Sequence, residues 1–299
     1  MQNALLYQAY GGQDFVNECR YSLLKYLQVY NLTPPVHTGI VVYTDTPNAF
    51  ADFQPFLPYL STRPLTKDRV QQWRGTINFV HRVKIEMLID FLRTFEGNVL
   101  YCDTDTYLTA PIQPVFENIG KGVFYLHAYE GVIDKTLSPS FHKWENFLST
   151  TPIRFNDKEL QFSPSLKMYN AGVVGLRHAN KAILHDVLAL TDAVYAQFPK
   201  HIAEQFAFSY CMQTSGTVQT AENEVAHYWN LKEFRRLLQR FFTANAEESI
   251  PNLIKKLNAI DAMAIQAEKN AYENLPLLQR LIRQLSGKAW KIAPYEKRL

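Results

Sequence analysis

The sequence predicts an α/β fold followed by a helical extension. Short apolar segments of strand length alternate with segments whose apolar residues recur at helical spacing. Several apolar segments run directly into acidic residues, as happens at the carboxyl edge of an open α/β sheet. From Thr243 onward the pattern is helical only. A chain of 299 residues suits one large domain with an appendage, so we expect a domain over residues 1–242 and an extension over 243–299.

The first predicted unit is a strand, a glycine turn and a helix. The strand covers Ala4–Ala9, the turn is Tyr10–Gly12, and Asp14 is placed to cap the helix that follows. Such a turn either presents backbone N–H groups and a ring to a nucleotide or simply joins two elements. In the nucleotide-binding case the ring would be that of Tyr10.

The second predicted strand, Gly39–Thr44, also ends at an acidic residue, Asp45. This position lies at the same predicted sheet edge as the turn after the first strand. A loop rich in Pro and Phe is expected from Pro47 to Pro64.

The longest helical pattern in the first half covers Thr76–Glu96 and stops at Gly97. Arg82 and Lys84 lie off its apolar stripe near the N-terminus, where positive charge opposes the helix dipole. This placement indicates either an anionic ligand nearby or a solvated basic face.

The segment Val99–Leu108 carries the strongest local signal. An apolar run of strand length leads into Asp103 and Asp105, and apolar residues then resume. Two carboxylates at this spacing can converge on one hard cation. About half of one such pair is expected by chance in this composition, so a solvated acidic turn is the alternative.

The second half continues the alternation of strands and helices. A strand is expected at Val123–Ala128 with Glu130 just beyond it, followed by a polar, mobile segment from Ser138 to Ser165. Asn170 enters a buried strand in which small residues permit close backbone approach. The remaining predicted elements are helices at Asn180–Phe198 and His201–Gln213 (with Glu204 and Gln205), a strand at Val225–Asn230 containing His227, and a basic helix from near Leu231 that includes Lys232.

Composition limits the classes of partner. A net charge of +3 and the lack of a basic stripe interleaved with aromatic residues before residue 230 indicate no nucleic-acid partner. Three widely spaced cysteines in apolar patterns are typical of buried thiols in a reducing compartment. No window reaches the roughly 18 apolar residues of a spanning helix. We expect a cytoplasmic protein, or one held peripherally on the inner face of a membrane.

These pieces occur in a recognisable order. The turn at Tyr10–Gly12, the helix with Arg82 and Lys84, Val-Leu-Tyr-Cys-Asp-Thr-Asp, Tyr-Asn-Ala-Gly-Val, Glu-Gln and His-Tyr-Trp-Asn-Leu-Lys follow one another over residues 4–234. That order resembles the GT-A fold nucleotide-diphospho-sugar glycosyltransferases, most closely the family 8-like retaining enzymes. The resemblance implies a mixed sheet flanked by helices, with the helical appendage behind it.

The resemblance also implies a reaction and a set of roles. A sugar would move from a nucleotide-diphospho-sugar, in the first instance a UDP-sugar, to a glycan or lipid-linked acceptor with retention of configuration. Asp103, Asp105 and His227 would hold Mn²⁺, or Mg²⁺ as the alternative. Donor contacts would come from Ala9, Tyr10, Asp45, Arg82, Lys84, Asp103 and Lys232, and the catalytic candidates are Glu130, Asn170, Glu204 and Gln205. In the family pattern, glycine lies three residues after the histidine and lysine three further on. Here Asn230 replaces that glycine and Lys232 comes one residue early.

Two other functions stay open at this point. A non-catalytic nucleotide- or sugar-binding module could use the same fold. A haloacid-dehalogenase-type phosphatase also places Asp-Xaa-Asp after an apolar strand, although Tyr107 stands where Thr or Val is usual in those enzymes.

The tail combines apolar and basic residues. Apolar residues recur at near-helical spacing from Leu275 to Leu285, with Arg280 and Arg283 among them and Lys288, Trp290 and Lys291 just beyond. This pattern favours either a helix on an anionic membrane surface or one packed on the preceding domain. The oligomeric state has no sequence signal.

Overall fold

The computed structural model describes residues 2–133 and 139–297. The strands are β1 (Asn3–Ala9), β2 (Thr38–Thr44), β3 (Leu60–Pro64), β4 (Asn98–Cys102), β5 (Thr106–Leu108), β6 (Phe124–Leu126), β7 (Tyr129–Val132), β8 (Arg154–Phe155), β9 (Lys158–Glu159), β10 (Lys167–Tyr169), β11 (Val173–Arg177), β12 (Val218–Thr220) and β13 (Val225–His227). The helices are α1 (Gln13–Val29), α2 (Lys67–Trp73), α3 (Arg82–Leu92), α4 (Gln113–Gly120), α5 (Pro139–Thr150), α6 (Ile183–Gln197), α7 (Ile202–Ser215), α8 (Phe234–Ala244), α9 (Ile250–Lys256), α10 (Ala262–Glu273), α11 (Leu277–Leu285) and α12 (Ala293–Glu296).

A mixed sheet forms the centre of the molecule, which confirms the predicted α/β class. Its order is β12-β6-β11-β4-β1-β2-β3 in the described chain. Strands β3, β2, β1 and β4 are parallel, whereas β11 is antiparallel to both of its neighbours. The chain leaves β1 in one direction to form β2 and returns on the other side as β4. Ligands bind at such a switch point, outside the carboxyl ends of the strands.

Alternating side chains of the central strands divide between two cores. Leu5 and Tyr7 of β1 face a core that includes α1 and the C-terminal helices, whereas Leu6 faces a core formed with α3, α6 and α7. Leu100 and Tyr101 of β4 divide in the same way. This period of two is the geometry of a strand buried on both faces, so the continuous apolar runs in the sequence reflect helices on both sides.

The C-terminal extension packs against α1. Leu253, Leu257 and Ile265 belong to the same core as the residues of α1, and the Tyr21 hydroxyl donates a hydrogen bond to the Ile260 carbonyl at 3.2 Å. The predicted boundary between residues 242 and 243 falls in the last turn of α8. The division into two domains remains a prediction.

The predicted helix over Thr76–Glu96 was too long at both ends. Gly75 and Asn78 have positive φ angles of 64° and 52°, which a right-handed helix does not contain, and α3 begins only at Arg82. Val80, an apolar residue of that predicted helix, is 46% exposed because it precedes α3. Helix α3 ends at Leu92, so Gly97 does not provide its stop signal.

Three other local predictions need correction. The predicted Pro47–Pro64 loop contains a short 3-10 helix, Pro47–Phe53, and strand β3, whose partner is β2. The predicted polar, mobile segment contains α5 and the β8–β9 hairpin from residue 139 onward, because Trp144 is buried among aromatic rings; residue 138 lies outside the described residues. Asp14 lies inside the first turn of α1, whose N-cap is Gly12.

Candidate functional site

The predicted metal ligands converge at the carboxyl end of β4. Asp103 and Asp105 occupy the turn between β4 and β5, and the antiparallel pairing of β13 with β5 puts His227 opposite Thr106. The backbone N–H of Tyr228 donates to the Asp105 carbonyl at 3.1 Å. This pairing brings a histidine from the last third of the chain beside two carboxylates that lie just beyond its first third.

These three residues fit a divalent cation. One ligand atom of each can be chosen so that all three lie within 4.8 Å of one another. The side chains of Asp103, Asp105 and His227 are 30%, 24% and 5% exposed, so the cluster is partly buried but both carboxylates reach solvent. Mixed carboxylate and imidazole ligands suit Mn²⁺, whereas carboxylates alone would favour Mg²⁺ or Ca²⁺.

Asn170 determines which nitrogen of His227 faces the carboxylates. The Asn170 Oδ1 atom accepts from the Gly172 N–H at 2.9 Å and lies 3.1 Å from His227 Nδ1. Because Oδ1 can only accept, Nδ1 must carry the proton of that second bond. Nε2, which is 3.2 Å from Asp105 Oδ1, is therefore the nitrogen available to a metal.

Without a cation, His227 and Asp105 form an ion pair. Burial opposes the protonated imidazole, but the hydrogen bond and charge of Asp105 outweigh it and raise the pKa of His227. Burial also opposes ionisation of Asp105, but the hydrogen bond and the charge of His227 lower the pKa of Asp105. A divalent ion would take the place of the Nε2 proton, which is the exchange expected at a metal site.

Gly172 is needed for this arrangement. A Cβ atom at this position would lie 2.6 Å from His227 Nδ1 and 3.0 Å from Asn170 Oδ1. Both distances are shorter than ordinary contacts, so any side chain would displace the imidazole or the amide. The glycine of the Asn-Ala-Gly-Val motif therefore supplies the space for the histidine.

Asp103 is fixed by two further side chains. The Tyr101 hydroxyl donates to Oδ1 at 2.5 Å, and Lys84 Nζ lies 3.4 Å from the carboxylate. Lys84 also donates to the Ala171 carbonyl at 2.8 Å. The helical pattern predicted Lys84 to lie off the buried stripe, but its side chain is only 5% exposed, so it is not part of a solvated face.

Glu204 is the second carboxylate beside Lys84. Its Oε1 atom is 3.0 Å from Nζ, and its side chain is 5% exposed. Burial lowers the pKa of Lys84 less than Asp103 and Glu204 raise it, so the ammonium remains charged. Burial dominates at Glu204 and raises its pKa to about 7, although Lys84 opposes the shift. Glu204 therefore contacts Lys84, and Lys84 in turn contacts Asp103 at the candidate metal site.

The other polar candidates form a chain of hydrogen bonds. Glu130 accepts from Asn170 Nδ2 at 3.0 Å and from Gln205 Nε2 at 2.6 Å. Asn170 then connects this pair to His227. The structure thus brings Glu130, Asn170 and Gln205 together with the metal candidates.

The first two predicted loops lie at the neighbouring strand ends. Ala9 is the last residue of β1 and is fully buried, while Tyr10 is half-buried against the core on the α3 side. The carboxylate of Asp45 accepts from the Gly11 N–H at 3.0 Å, which joins the loops after β1 and β2.

Arg82 and Lys232 are the two remaining candidates for donor binding. Arg82 donates to Asp192 at 2.8 Å and to Glu86 at 2.7 Å, so its guanidinium is already paired. Lys232 is exposed in the segment between β13 and α8. Their contact with a donor remains a prediction.

A buried network that the sequence motifs did not indicate lies behind the acidic turn. Glu18 of α1 accepts from Thr104 Oγ1 at 3.1 Å and from Arg235 Nε at 2.8 Å. Burial raises the pKa of Glu18 to about 7 even though Arg235 opposes the shift. A charged residue beside Cys19 on the buried side of α1 was the available signal, but its partner Arg235 is 217 residues away.

Comparisons with known proteins return glycosyltransferases at low identity. The galactosyltransferase LgtC with donor and acceptor sugar analogues shares 10% identity over 69% of this chain and 70% of that one, with a TM-score of 0.46. Mouse xyloside xylosyltransferase 1 in its apo form shares 11% over 74% and 85%, with a TM-score of 0.47. The apo WbbM bifunctional glycosyltransferase shares 10% over 74% and 38%, with a TM-score of 0.44. No protein-family model matches the chain, and no curated protein matches it either.

Proposed function

We propose that this chain is a metal-dependent glycosyltransferase that moves a sugar from a nucleotide-diphospho-sugar to a glycan or lipid-linked acceptor. The donor is a UDP-sugar, the cation is Mn²⁺ with Mg²⁺ as a substitute, and the anomeric configuration is retained. The observation that carries the proposal is the convergence of Asp103, Asp105 and His227 at the switch point of the sheet, with the histidine tautomer set by Asn170.

The chain's own residues account for binding and orientation. Asp103 and Asp105 would hold the cation together with Nε2 of His227. When bound, the cation supplies Lewis-acid stabilisation of the charge that develops on the leaving diphosphate. Lys84 offsets part of the negative charge of the Asp103 and Glu204 carboxylates, which reduces the repulsion that an anionic ligand would meet.

The polar chain beside the cation candidates suits recognition of a sugar. Glu130, Asn170 and Gln205 offer amide and carboxylate groups that can exchange their mutual hydrogen bonds for sugar hydroxyls. Glu204 is assigned a positioning role through Lys84 because its carboxylate is buried behind that residue. Tyr10 and Asp45 are proposed contacts of the base and ribose, and Arg82 and Lys232 stay candidates for the phosphates.

The test combines a UDP-sugar panel with matched variants. Asp105→Asn removes one ligand charge at nearly constant volume, and Asp157→Asn makes the same change in the exposed β8–β9 turn. We expect Mn²⁺-dependent donor hydrolysis or transfer by the wild type and by Asp157→Asn, but not by Asp105→Asn, with the circular dichroism of all three unchanged. His227→Ala should weaken the affinity for Mn²⁺ less severely.

Other results would identify a different function. Tight binding of UDP and Mn²⁺ with no turnover on any sugar would favour the non-catalytic binding module. Hydrolysis of a phosphomonoester that depends on Asp103 would favour the phosphatase. Unchanged affinity of Asp105→Asn for UDP and Mn²⁺ would contradict the metal site itself. Proton NMR of the first-formed product decides the configuration, since an inverted anomer would contradict retention.

The place of action is part of the proposal. All three cysteines are buried free thiols, which suits a reducing compartment such as the cytoplasm. Within residues 2–133 and 139–297, no helix has both the length and the apolar character needed to cross a membrane.

A further inference from the structure

Helix α11 presents an unpartnered apolar face. Its large aliphatic side chains are exposed by 54–89%, and no residue of this helix is buried against the rest of the described chain. These exposed residues are Leu277, Leu278, Leu281, Ile282 and Leu285. Five large apolar side chains are therefore exposed on one short helix, whereas exposed apolar residues are usually scattered singly over a protein surface.

The charge around this face has one sign. Arg280 and Arg283 lie on α11, and Lys288 and Lys291 follow within six residues of its end. The sequence contains no Asp or Glu between Glu273 and Glu296. The surface near α11 therefore favours an anionic partner.

The helix is anchored on both sides of its exposed segment. On one side, α10 is fastened by Lys269, which donates to the Asn230 carbonyl at 2.7 Å and to Glu233 at 2.8 Å. On the other, Trp290 packs against the main core and lies under the Lys269 ammonium at 5.7 Å. The chain is thus held to the protein immediately before and after α11.

We propose that α11 docks on the surface of a lipid bilayer that contains anionic lipids. The five aliphatic side chains enter the boundary between headgroups and acyl chains, and the basic residues contact the headgroups. A second copy of this chain suits the face less well, since a symmetric pair would bring its own cationic residues together. This docking does not depend on the proposed transfer reaction.

The experiment is co-sedimentation of the full chain with vesicles at low salt. One set is phosphatidylcholine alone, and the other contains phosphatidylglycerol as well. We expect binding to the anionic vesicles only, with loss on raising the salt concentration. Combining Arg283→Gln with Lys288→Gln should weaken binding roughly twenty-five-fold, because each basic residue contributes about fivefold.

A second set of variants tests the apolar face. Combining Leu278→Ser, Leu281→Ser and Leu285→Ser should weaken binding at least roughly a hundred-fold. These side chains are exposed, so the melting temperature should not fall. Val36→Ser combined with Tyr59→Ser is the control, since both residues are exposed apolar positions outside α11 and should leave binding unchanged.

Several results would overturn the docking. They are equal binding to both kinds of vesicle, no binding by the wild type, or unchanged binding by the triple variant. A concentration-dependent dimer that the triple variant abolishes would assign the face to a second copy instead. Asp105→Asn should bind vesicles like the wild type, so a failure of docking and a failure of the proposed transfer reaction give separate signatures.

Discussion

The close approach of Gly172 to His227 permits a prediction whose size can be worked from distances. In Gly172→Ala the new Cβ would start 2.6 Å from Nδ1. An ordinary contact is about 3.5 Å, so the imidazole or its neighbours must move by about 1 Å. A shift of that size lengthens the 3.1 Å contact between Nδ1 and Asn170 Oδ1 to about 4 Å, beyond a hydrogen bond.

Loss of this contact should reduce metal affinity without unfolding the protein. Removing the group that orients a ligating histidine typically lowers the affinity by about 10–100-fold, or about 1.4–2.7 kcal/mol. The crowded site should also cost about 1–3 kcal/mol in the free energy of unfolding. Titration calorimetry with Mn²⁺ in the presence of UDP measures the first quantity, and urea denaturation measures the second.

The matched control is Gly120→Ala. Its Cβ would meet its nearest atom, Asn98 Nδ2, at 3.4 Å, which is an ordinary contact. This variant should keep the affinity of the wild type. Equal affinities for Gly172→Ala and the wild type, with the variant folded, would refute the assigned role of His227 in metal binding.

Three further predictions concern buried charge. Lys84→Met should lower the free energy of unfolding by about 3–5 kcal/mol, because it leaves a buried carboxylate without its partner. Adding Glu204→Gln should restore part of that loss. If urea denaturation shows that the free-energy changes of the two single variants simply add in the double variant, the pairing is contradicted. Because a metal requires neutral His227, whose pKa is raised, calorimetry over a pH series should show Mn²⁺ affinity falling as pH decreases, from a midpoint above 6.5. A midpoint below 6.5 would contradict this. Glu18→Leu leaves the Arg235 guanidinium, which is 26% exposed, without its carboxylate partner, so the free energy of unfolding should fall by about 1–3 kcal/mol. Glu18→Gln should lower it less. Equal decreases for the two variants in urea denaturation would argue against the network.

Several parts of the site could be predicted from local sequence. Asp103 and Asp105 follow an apolar strand and are found beyond its end, because a strand buried on both faces must be apolar and its polar continuation marks the sheet edge. Asn170 was also predicted correctly to enter a buried strand, since an amide residue followed by small residues before an apolar run is a local signal. Boundaries were less predictable. The positive φ angles of Gly75 and Asn78, which delay α3, have no counterpart in hydrophobic periodicity.

Only the tertiary structure decided which distant residues meet. His227 reaches Asp105 across 122 residues because β13 pairs with β5, and that register is not encoded in either segment alone. Burial of Lys84 follows likewise from the packing of α3 on the sheet, since periodicity alone placed it off the apolar stripe and left an anionic ligand or a solvated face open. For α11 the sequence determined an amphipathic basic helix but not where its apolar face would lie. The fold decided that, because the core beside α1 is filled by α8, α9 and α10, and α11 is left at the surface.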